Sequence, residues 1–424
     1  MRGERGRGLL FVLTVLLSLS MASAGVAADK VIKIGAVYPL TGNIASTGLD
    51  CRRGVELAVD IINGKYPDLN LPLAKDAGLP NLGGAKIEIV FADTKGEPRN
   101  GQAEAERLVT QEKVVAMIGA YQSSVTKTAS QATERLKIPY VCSDSSSPAL
   151  TERDLKYFFR VSPHDAIFVR DQFNFLRDLE KARNVKFHTI AALYENTEFG
   201  SNVGKQILKV APEYGYRVVA DISYAANATD VTSEVGRLIK ASPDVLMHAS
   251  YITDAILFTK TFKEMGFNPQ GITTFAGYIE PGYLPAVKGD GNYFVIRSTF
   301  ALDLAKRKPL VAKVNELFKK KYGIDMSENA ARSFTAPFVL ADAMNRAKTT
   351  EAEAVVKALL ATDIPGDQVL YPWIGIKFDP QSHQNIYAQG TLVQIQDQNY
   401  VTVWPFDSAA APVIWPFPPW KSRK

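Results

Sequence analysis

A group of hydroxyl side chains follows a short apolar run in the first third of the chain. The apolar run 114–118 ends at Gly119, and Ser123, Ser124 and Thr126 then stand where the next helix is expected to begin. Hydroxyls at a helix N-terminus bond to the free backbone N–H groups of its first turn. Together with the positive end of the helix dipole, the same groups can hold a carboxylate. The pattern predicts either an ordinary helix cap or an anion site, and the second interpretation requires that other strand ends converge on the same place.

Two other predicted strands end in residues of the same types. The apolar run 31–37 leads into the Gly- and Thr-containing segment 38–48, and the run 139–142 leads into the Ser-rich segment 143–147. Strands and helices alternate from residue 31 to about 150, with the first helix predicted from Gly48, and this order is typical of a parallel sheet covered by helices on both faces. Such sheets bind ligands beyond the carboxyl ends of their strands. The convergence of the three strand ends therefore favours a ligand site.

A second set of alternating elements follows from about residue 157. A strand over 189–194 is followed by a polar loop and a helix predicted from Ser201, and a strand over 272–276 is followed by polar and aromatic residues. Late strands are predicted over 391–395 and 400–404. The fold class is therefore predicted to be α/β, with two doubly wound, Rossmann-like lobes and a ligand cleft between them.

The N-terminus has the pattern of a secretory signal peptide. Arg2, Arg5 and Arg7 precede the apolar run 9–19, and small residues follow it. This order predicts a signal peptide over residues 1–28. The run is short for a bilayer span, and no later stretch is long and apolar enough for stable membrane insertion. We therefore expect a soluble exported protein.

Composition and motifs argue against several other function classes. The formal charge is +5 over 424 residues, and the longest basic run, 319–321, is too short to indicate a nucleic-acid surface. No phosphate-binding loop or G-x-G-x-x-G is present, and the histidines lack metal-ligand spacing, so no cofactor and no metal are predicted. Cys51 and Cys142 have no CxxC neighbours, and a disulfide between them stays open. No nucleophile–base motif indicates catalysis.

A series of motifs runs in order along residues 31–404. They are VIKIGAVYPLTG, FADTKGEP with QAEAERLV, MIGAYQSSVTKTAS, PYVCSDSSSPALTER, ALYENTEFGSNVG and ASYITDAILFTKTFKEMGF. In this order they resemble the periplasmic binding proteins of branched-chain amino acid (Leu/Ile/Val-type) ABC transporters, the type I family. The resemblance implies two lobes, joined by three crossings, that close over a small ligand in the periplasm. It also implies delivery of that ligand to the permease subunits of an ABC transporter, without any reaction.

The resemblance implies boundaries for the two lobes. The first would comprise residues 29–161 with about 299–380. The second would comprise 162–298 with about 381–424, including a C-terminal tail rich in proline and aromatic residues.

The resemblance also implies which residues hold the ligand carboxylate. Ser123 matches the family's hydroxyl donor, and Asp144 matches a position that offers its backbone groups. Ser146 stands where the family has a threonine that completes the site. Thr47, after the first strand, is near a position that lines the pocket from below.

Aromatic residues are implied at the other side of the cleft. Phe199 and Tyr251 occupy positions from which aromatic rings of the second lobe close over the ligand. Tyr121 and Gln122 would face the variable end of the ligand.

One departure concerns the ligand's ammonium group. Amino-acid binders of the family place an acid after the strand that matches 272–276, whereas here a gapless match puts Ile279 there, between Tyr278 and Glu280. If Glu280 turns inward, or if Asp144 serves instead, an amino acid fits. Otherwise the ligand is expected to be an aromatic or aliphatic carboxylate without an ammonium group.

Two other functions remain as alternatives. A sensor of the same fold could report its ligand to a signalling partner, since a fold does not specify one function. An exported α/β enzyme is the third alternative.

Overall fold

The computed structural model describes residues 30–423, and the predicted signal peptide lies outside them. A five-stranded sheet with strand order β2-β1-β3-β4-β5 is parallel throughout. Its strands are β1 (Val31–Tyr38), β2 (Lys86–Asp93), β3 (Ala116–Gly119), β4 (Tyr140–Cys142) and β5 (Phe158–Arg160). The central strands are almost continuously apolar because helices cover both faces of the sheet.

The second sheet has seven strands in the order β14-β13-β10-β9-β8-β6-β7. Its strands are β6 (Thr189–Glu195), β7 (Arg217–Tyr224), β8 (Val245–Ser250), β9 (Gly271–Ala276), β10 (Val295–Ser298), β13 (Thr391–Gln396) and β14 (Asn399–Trp404). The first five are parallel, and the predicted late strands β13 and β14 extend the sheet in antiparallel pairing. A separate antiparallel pair consists of β11 (Asp363–Pro365) and β12 (Gly375–Lys377).

Helices flank both sheets. They are α1 (Ala45–Asn63), α2 (Pro98–Thr110), α3 (Ser123–Arg135), α4 (Asp165–Arg183), α5 (Glu198–Val210), α6 (Thr232–Ala241), α7 (Ile252–Glu264), α8 (Tyr283–Val287), α9 (Pro309–Tyr322), α10 (Glu328–Ala347) and α11 (Ala352–Leu360). We call the first sheet with α1–α3 and α9–α11 the first lobe, and the second sheet with α4–α8 the second lobe. The predicted α/β class with two doubly wound lobes is confirmed, while the exact lobe boundaries stay a prediction.

Two predicted helix starts are wrong by three residues. Helix α1 begins at Ala45 rather than at Gly48, and α5 begins at Glu198 rather than at Ser201. The side chain of Glu195 accepts a hydrogen bond from the N–H of Gly200 at 2.7 Å, which satisfies a free donor of the first turn of α5. The helix therefore includes Phe199, which the sequence had suggested to be a loop residue.

Close packing of α1 against α10 attaches the late helices to the first lobe. A Cβ atom on Gly54 of α1 would lie 2.0 Å from the carbonyl oxygen of Ala330 in α10. Only glycine permits this approach of the two backbones. The contact fixes the N-terminal half of α10, and with it Glu328 and Arg332, beside the first sheet.

The chain passes between the lobes where β5 leads to α4, where β10 leads to α9, and where β12 leads to β13. These crossings lie at the inner end of the cleft. Hydrogen bonds tie the first and third of them together, since the N–H of Asn385 donates to the carbonyl oxygen of Arg160 at 2.9 Å.

Candidate functional site

The loops after β3 and β4 are bonded to each other at the carboxyl edge of the first sheet. The hydroxyl oxygen of Ser123, the first residue of α3, accepts a hydrogen bond from the N–H of Ser147 at 3.2 Å. Ser145 donates to the carbonyl oxygen of Ala120 at 2.8 Å. Ser123 and Ser146 are both buried. The structure therefore brings together the two predicted hydroxyl-bearing strand ends beside the N-terminus of α3.

The carboxylate of Asp144 accepts hydrogen bonds from three hydroxyl groups of the first lobe. Its Oδ2 accepts hydrogen bonds from Tyr38 at 3.2 Å and from Ser143 at 3.0 Å, and its Oδ1 accepts one from Ser333 at 3.0 Å. Burial raises the pKa of Asp144, while the charge of Arg332 and these hydroxyls oppose that shift. The side chain is thus committed to the lobe interior, so Asp144 offers only its backbone to the cleft.

Glu280 follows β9 in the second lobe and reaches across to the first. Tyr121 donates a hydrogen bond to its Oε1 at 2.6 Å, and the hydroxyl of Thr47 donates to its Oε2. The side chain is fully buried, and this burial raises the pKa of the carboxyl group to about 7 although both hydroxyls favour the ionised form. The structure therefore places two predicted site residues, Thr47 and Tyr121, around the carboxyl group of a third, Glu280.

Aromatic rings from both lobes meet next to this carboxyl group. The ring centroid of Tyr251 lies 5.8 Å from that of Tyr121 and 5.4 Å from that of Phe199. Tyr251 and Phe199 belong to the second lobe and Tyr121 to the first, so the three rings span the cleft. Burial raises the pKa of both tyrosines, which keeps them neutral hydroxyl donors.

The mouth of the cleft contains a cavity of about 640 Å³, lined by Gln122, Tyr251 and residues of both lobes. Gln122 donates to the carbonyl oxygen of Gly96 at 3.2 Å. Several polar contacts join the lobes here. Lys127 pairs with Glu198 at 2.9 Å, and Asn43 donates to Asn227 at 3.2 Å. The hydroxyl of Ser147 also donates to Glu198, at 3.3 Å. The lobes are thus in contact on both sides of the opening.

Tyr278 is not part of this group. Its hydroxyl is 2.6 Å from Nδ1 of His248, and its ring packs against Tyr283 in the core of the second lobe. Gly277 explains this placement, because a Cβ atom there would lie 2.4 Å from the backbone carbonyl carbon of Tyr251. The close approach turns Tyr278 into the lobe and leaves Glu280 at the cleft.

Buried charged residues that the sequence analysis did not select lie at the inner end of the cleft. Arg297 of β10 pairs with Glu328 of α10 at 3.1 Å, and Arg332 donates to backbone carbonyls after β4. A signal was present in the sequence, because Arg297 directly follows the apolar run 293–296 within the strand. A charged residue at a buried strand position requires a partner.

Neither the cysteines nor the acidic and histidine side chains add a metal site or a disulfide bridge to the cleft among the described residues. Cys51 and Cys142 are both free and buried in the described structure, and burial raises the pKa of each thiol. Among residues 30–423, no group of three or more His, Cys, Asp or Glu side chains is placed to hold a metal ion. Over the same residues, no helix has the length and apolarity needed to cross a bilayer.

Comparison with known proteins assigns the chain to a family. A family model described as "Periplasmic binding protein" matches residues 31–399. The chain belongs to the periplasmic binding protein family. This periplasmic binding protein is 31% identical over 410 residues to a Leu/Ile/Val-binding protein homolog 7 of Brucella abortus, with 93% of this chain and 97% of the relative covered. It is 29% identical over 403 residues to a homolog 8 of Brucella suis, with 92% and 94% covered.

Solved structures show the same fold. A leucine binding protein from Thermotoga maritima superimposes with a TM-score of 0.74 at 19% identity, covering 88% of this periplasmic binding protein and 97% of that chain. A branched-chain amino acid transporter substrate binding protein from Streptococcus pneumoniae, in complex with isoleucine, gives a TM-score of 0.73 at 21% identity, covering 91% and 100%. At these identities the likeness establishes the two-lobed fold alone.

Proposed function

We propose that this protein is the extracytoplasmic solute-binding receptor of an ABC importer and binds an amino acid or related small carboxylate by closure of its lobes. Membership of the periplasmic binding protein family supports this proposal. So do the Leu/Ile/Val-binding names of its relatives and the isoleucine complex of a structural neighbour. A binding protein of this kind carries out no reaction on its ligand.

One observation carries the ligand assignment. The carboxyl group of Glu280 enters the cleft close to the first lobe, on whose sheet edge Ser123 and the N-terminus of α3 stand. A helix N-terminus with hydroxyls suits a carboxylate, and a buried carboxyl group suits an ammonium group. The two sites together complement the zwitterion of an amino acid. Asp144 is unsuited as the ammonium partner because three hydroxyls already occupy its oxygens.

The roles of the surrounding residues follow from this pose. Ser123 and Ser146 would hold the ligand carboxylate, and Thr47 would line the pocket beside Glu280. Tyr251 and Phe199 would close over the ligand, with Tyr121 and Gln122 toward its variable end. Closure would exclude water and so strengthen these polar contacts.

Location and partners follow from the proposed role. Residues 1–28 would direct export to the periplasm, where the loaded receptor would meet the permease subunits of its transporter. The charge pattern and the buried arginines offer no reason to invoke nucleic acid as a partner.

A thermal-shift screen tests the proposal. A ligand that binds only the folded protein stabilises it by about 2.7 kcal/mol at a hundredfold excess over Kd, so binding must raise Tm. Amino acids of every side-chain class, from leucine, isoleucine and valine to asparagine and glutamine, should be compared with their deaminated analogues, for example leucine with 4-methylpentanoate. A rise in Tm for amino acids alone supports the role of Glu280, and a rise for the deaminated acids alone contradicts it. If neither class raises Tm, the receptor function for small carboxylates is wrong.

Ligand recovery separates a receptor from an enzyme. The compound that raises Tm should be incubated with the protein, extracted and analysed by mass spectrometry. Unchanged compound is expected, and a product that accumulates with time would contradict the proposal.

A further inference from the structure

Three buried charged side chains lie together at the inner end of the cleft. Asp165 begins α4 after the first crossing, Arg297 lies in β10 before the second, and Arg332 lies in α10 of the first lobe. Arg297 is 2% exposed, and the other two are 0% exposed. Charges that are taken out of water this completely require partners.

Packing places the three side chains around the loop after β4. Phe168 follows Asp165 by three residues in α4 and so shares its helix face, and the guanidinium of Arg297 lies 4.6 Å from the ring centroid of Phe168. The N–H of Asp165 donates to the carbonyl oxygen of Ser146 at 2.7 Å. Arg332 donates to carbonyl oxygens of the same loop. The cluster therefore borders the proposed carboxylate site.

Each of these side chains keeps at least one polar atom without a partner at hydrogen-bonding distance. Within the described range 30–423, these atoms are Nε of Arg297, Nη1 of Arg332 and both carboxylate oxygens of Asp165. Burial raises the pKa of Asp165 overall, although the hydroxyl of Ser146 is close enough to lower that pKa. The hydroxyl of Tyr251, in the aromatic group of the cleft, also has no partner at hydrogen-bonding distance among the described residues. Burial and the charges of Glu195 and Asp165 raise the pKa of Tyr251, which places Asp165 near that ring, and Thr197 is close enough to lower this pKa. Buried donors and acceptors are normally satisfied, and a buried polar atom without a partner destabilises the folded protein.

The charges in this cluster balance. Arg297 is paired with Glu328, and the charges of Arg297, Arg160 and Arg332 all act on Asp165. Arg332 also faces the buried carboxylate of Asp144. Three arginines and three carboxylates leave no net charge, so a further ionised group would be buried without compensation. The unpartnered atoms call for a neutral group that accepts from the arginines and donates to Asp165. A carboxamide has one acceptor oxygen and two N–H donors.

We propose that this cluster binds a carboxamide on the side chain of the ligand, with Arg297 and Arg332 donating to its oxygen and Asp165 accepting from its N–H. In this pose the ligand's side chain turns to the inner end of the cleft, beside the carboxylate site, instead of toward Tyr121 and Gln122. The inference rests on the proposed receptor function and narrows its ligand class to small carboxylates that carry an amide. A site built to hydrogen-bond a ligand group rejects analogues without it, because its own buried groups are then left unpaired.

Isosteric ligands test the proposal by calorimetry. Asparagine, aspartate and leucine form one set of similar shape, and glutamine, glutamate and methionine form a second. Succinamate, succinate and 4-methylpentanoate repeat the first set without the ammonium group. The amide of at least one set should bind roughly tenfold or more tightly than both of its isosteres. If leucine, methionine or an acid binds as tightly as its amide, the amide site is wrong while the receptor function stands. If no compound of any set binds, both are wrong.

A substitution at Asp165 gives a second test. Asp165→Asn keeps the size of the side chain, removes its charge and adds an N–H donor, so affinity should move from the amide ligand toward its acid isostere. The ratio of amide to acid affinity should fall roughly tenfold. Both affinities in this ratio are measured on the same variant, so a loss of folding stability lowers them equally and leaves the ratio unchanged.

The matched control is Asp171→Asn. Asp171 lies on the same helix, and its carboxylate accepts the N–H of Gly390 at 3.0 Å, a partner outside the cluster. Its substitution should leave the amide-to-acid ratio unchanged. An unchanged ratio in Asp165→Asn as well would overturn the assignment of Asp165.

Discussion

Tyr121 of the first lobe donates a hydrogen bond of 2.6 Å to Glu280 of the second, and both side chains are buried where the lobes meet. The bond ties closure of the cleft to the protonation of one carboxyl group. When Glu280 is ionised it accepts from Tyr121 and Thr47 but loses its hydration, and the raised pKa indicates that this loss is the larger effect.

Glu280→Gln should remove a pH dependence of stability. Burial raises the pKa of Glu280 from its ordinary 4.5 to about 7, so the folded protein holds this proton more tightly than the unfolded chain does. The free energy of unfolding should therefore fall as pH rises from about 4.5 to about 7 and stay lower above that range. The contribution of this residue is at most about 3 kcal/mol. Urea denaturation at pH 5 and pH 8 gives the change in the free energy of unfolding with pH for the wild type and for Glu280→Gln. The difference between these two changes measures the contribution of Glu280, because the other buried acids contribute equally to both proteins. Parallel pH profiles would contradict the assignment.

Ser123→Ala should weaken binding of a ligand that the thermal-shift screen identifies. The substitution removes a hydroxyl at the N-terminus of α3 and should cost about 1–3 kcal/mol of binding free energy, measured by calorimetry. Stability should also fall by about 1 kcal/mol because the buried N–H of Ser147 loses its acceptor. Ser130→Ala is the control: this buried serine of the same helix bonds to the carbonyl oxygen of Thr126, and its loss should leave affinity unchanged. Equal affinities for wild type and Ser123→Ala would remove Ser123 from the site.

Lys127→Glu should make binding depend on ionic strength. Lys127 pairs with Glu198 across the mouth of the cleft, and a like-charge pair there opposes closure. The native pair is partly exposed and worth about 1 kcal/mol or less, so Kd should rise several-fold at low salt. The rise should shrink at high salt, where charges are screened. Arg135→Glu, on the same helix, breaks a pair with Glu106 inside the first lobe and should not change Kd. If Kd rises equally in both variants, the pair between Lys127 and Glu198 does not influence closure of the cleft.

Gly54→Ala should destabilise the protein without touching the cleft. Its methyl group would meet the carbonyl oxygen of Ala330, and overpacking of this kind costs about 1–3 kcal/mol or more. Gly236→Ala is the matched control, since a Cβ atom on this helical glycine of α6 has no heavy atom within 4 Å among the described residues. That variant should gain about 0.5–1 kcal/mol from helix propensity. Chemical denaturation measures the free energy of unfolding of both variants. If both lose a similar amount of stability, the packing argument is wrong.

The alternation of strands and helices could be predicted from sequence because each buried strand of a parallel sheet is a nearly continuous apolar run. The starts of the helices at Ala45 and Glu198 could not be predicted in this way. In α5, for example, a free N–H group of the first turn donates to the side chain of Glu195, which lies before the capping position. Hydrogen bonds between side chains and backbone decide such boundaries, and composition does not show them.

The candidate site was predictable where it depends on strand ends and was missed where it depends on contacts between lobes. The loop around Ser146 follows directly from a buried strand and a Ser-rich turn. The inward direction of Glu280 depends on how closely Gly277 approaches the backbone of Tyr251, which lies in another part of the chain. Arg297 and Arg332 acquire their significance only when α10 is packed against the first sheet. These are long-range relationships, and local patterns do not contain them.

The contact of α1 with α10 has a consequence for how the chain is made. Ser327, before α10, donates a hydrogen bond to Asp50 of α1, although the two residues are 277 positions apart in the sequence. A nascent chain that ends before α10 cannot cover this face of its first sheet. The N-terminal lobe must therefore wait for late residues before it becomes stable, so most of the chain has to be synthesised before its first lobe can fold.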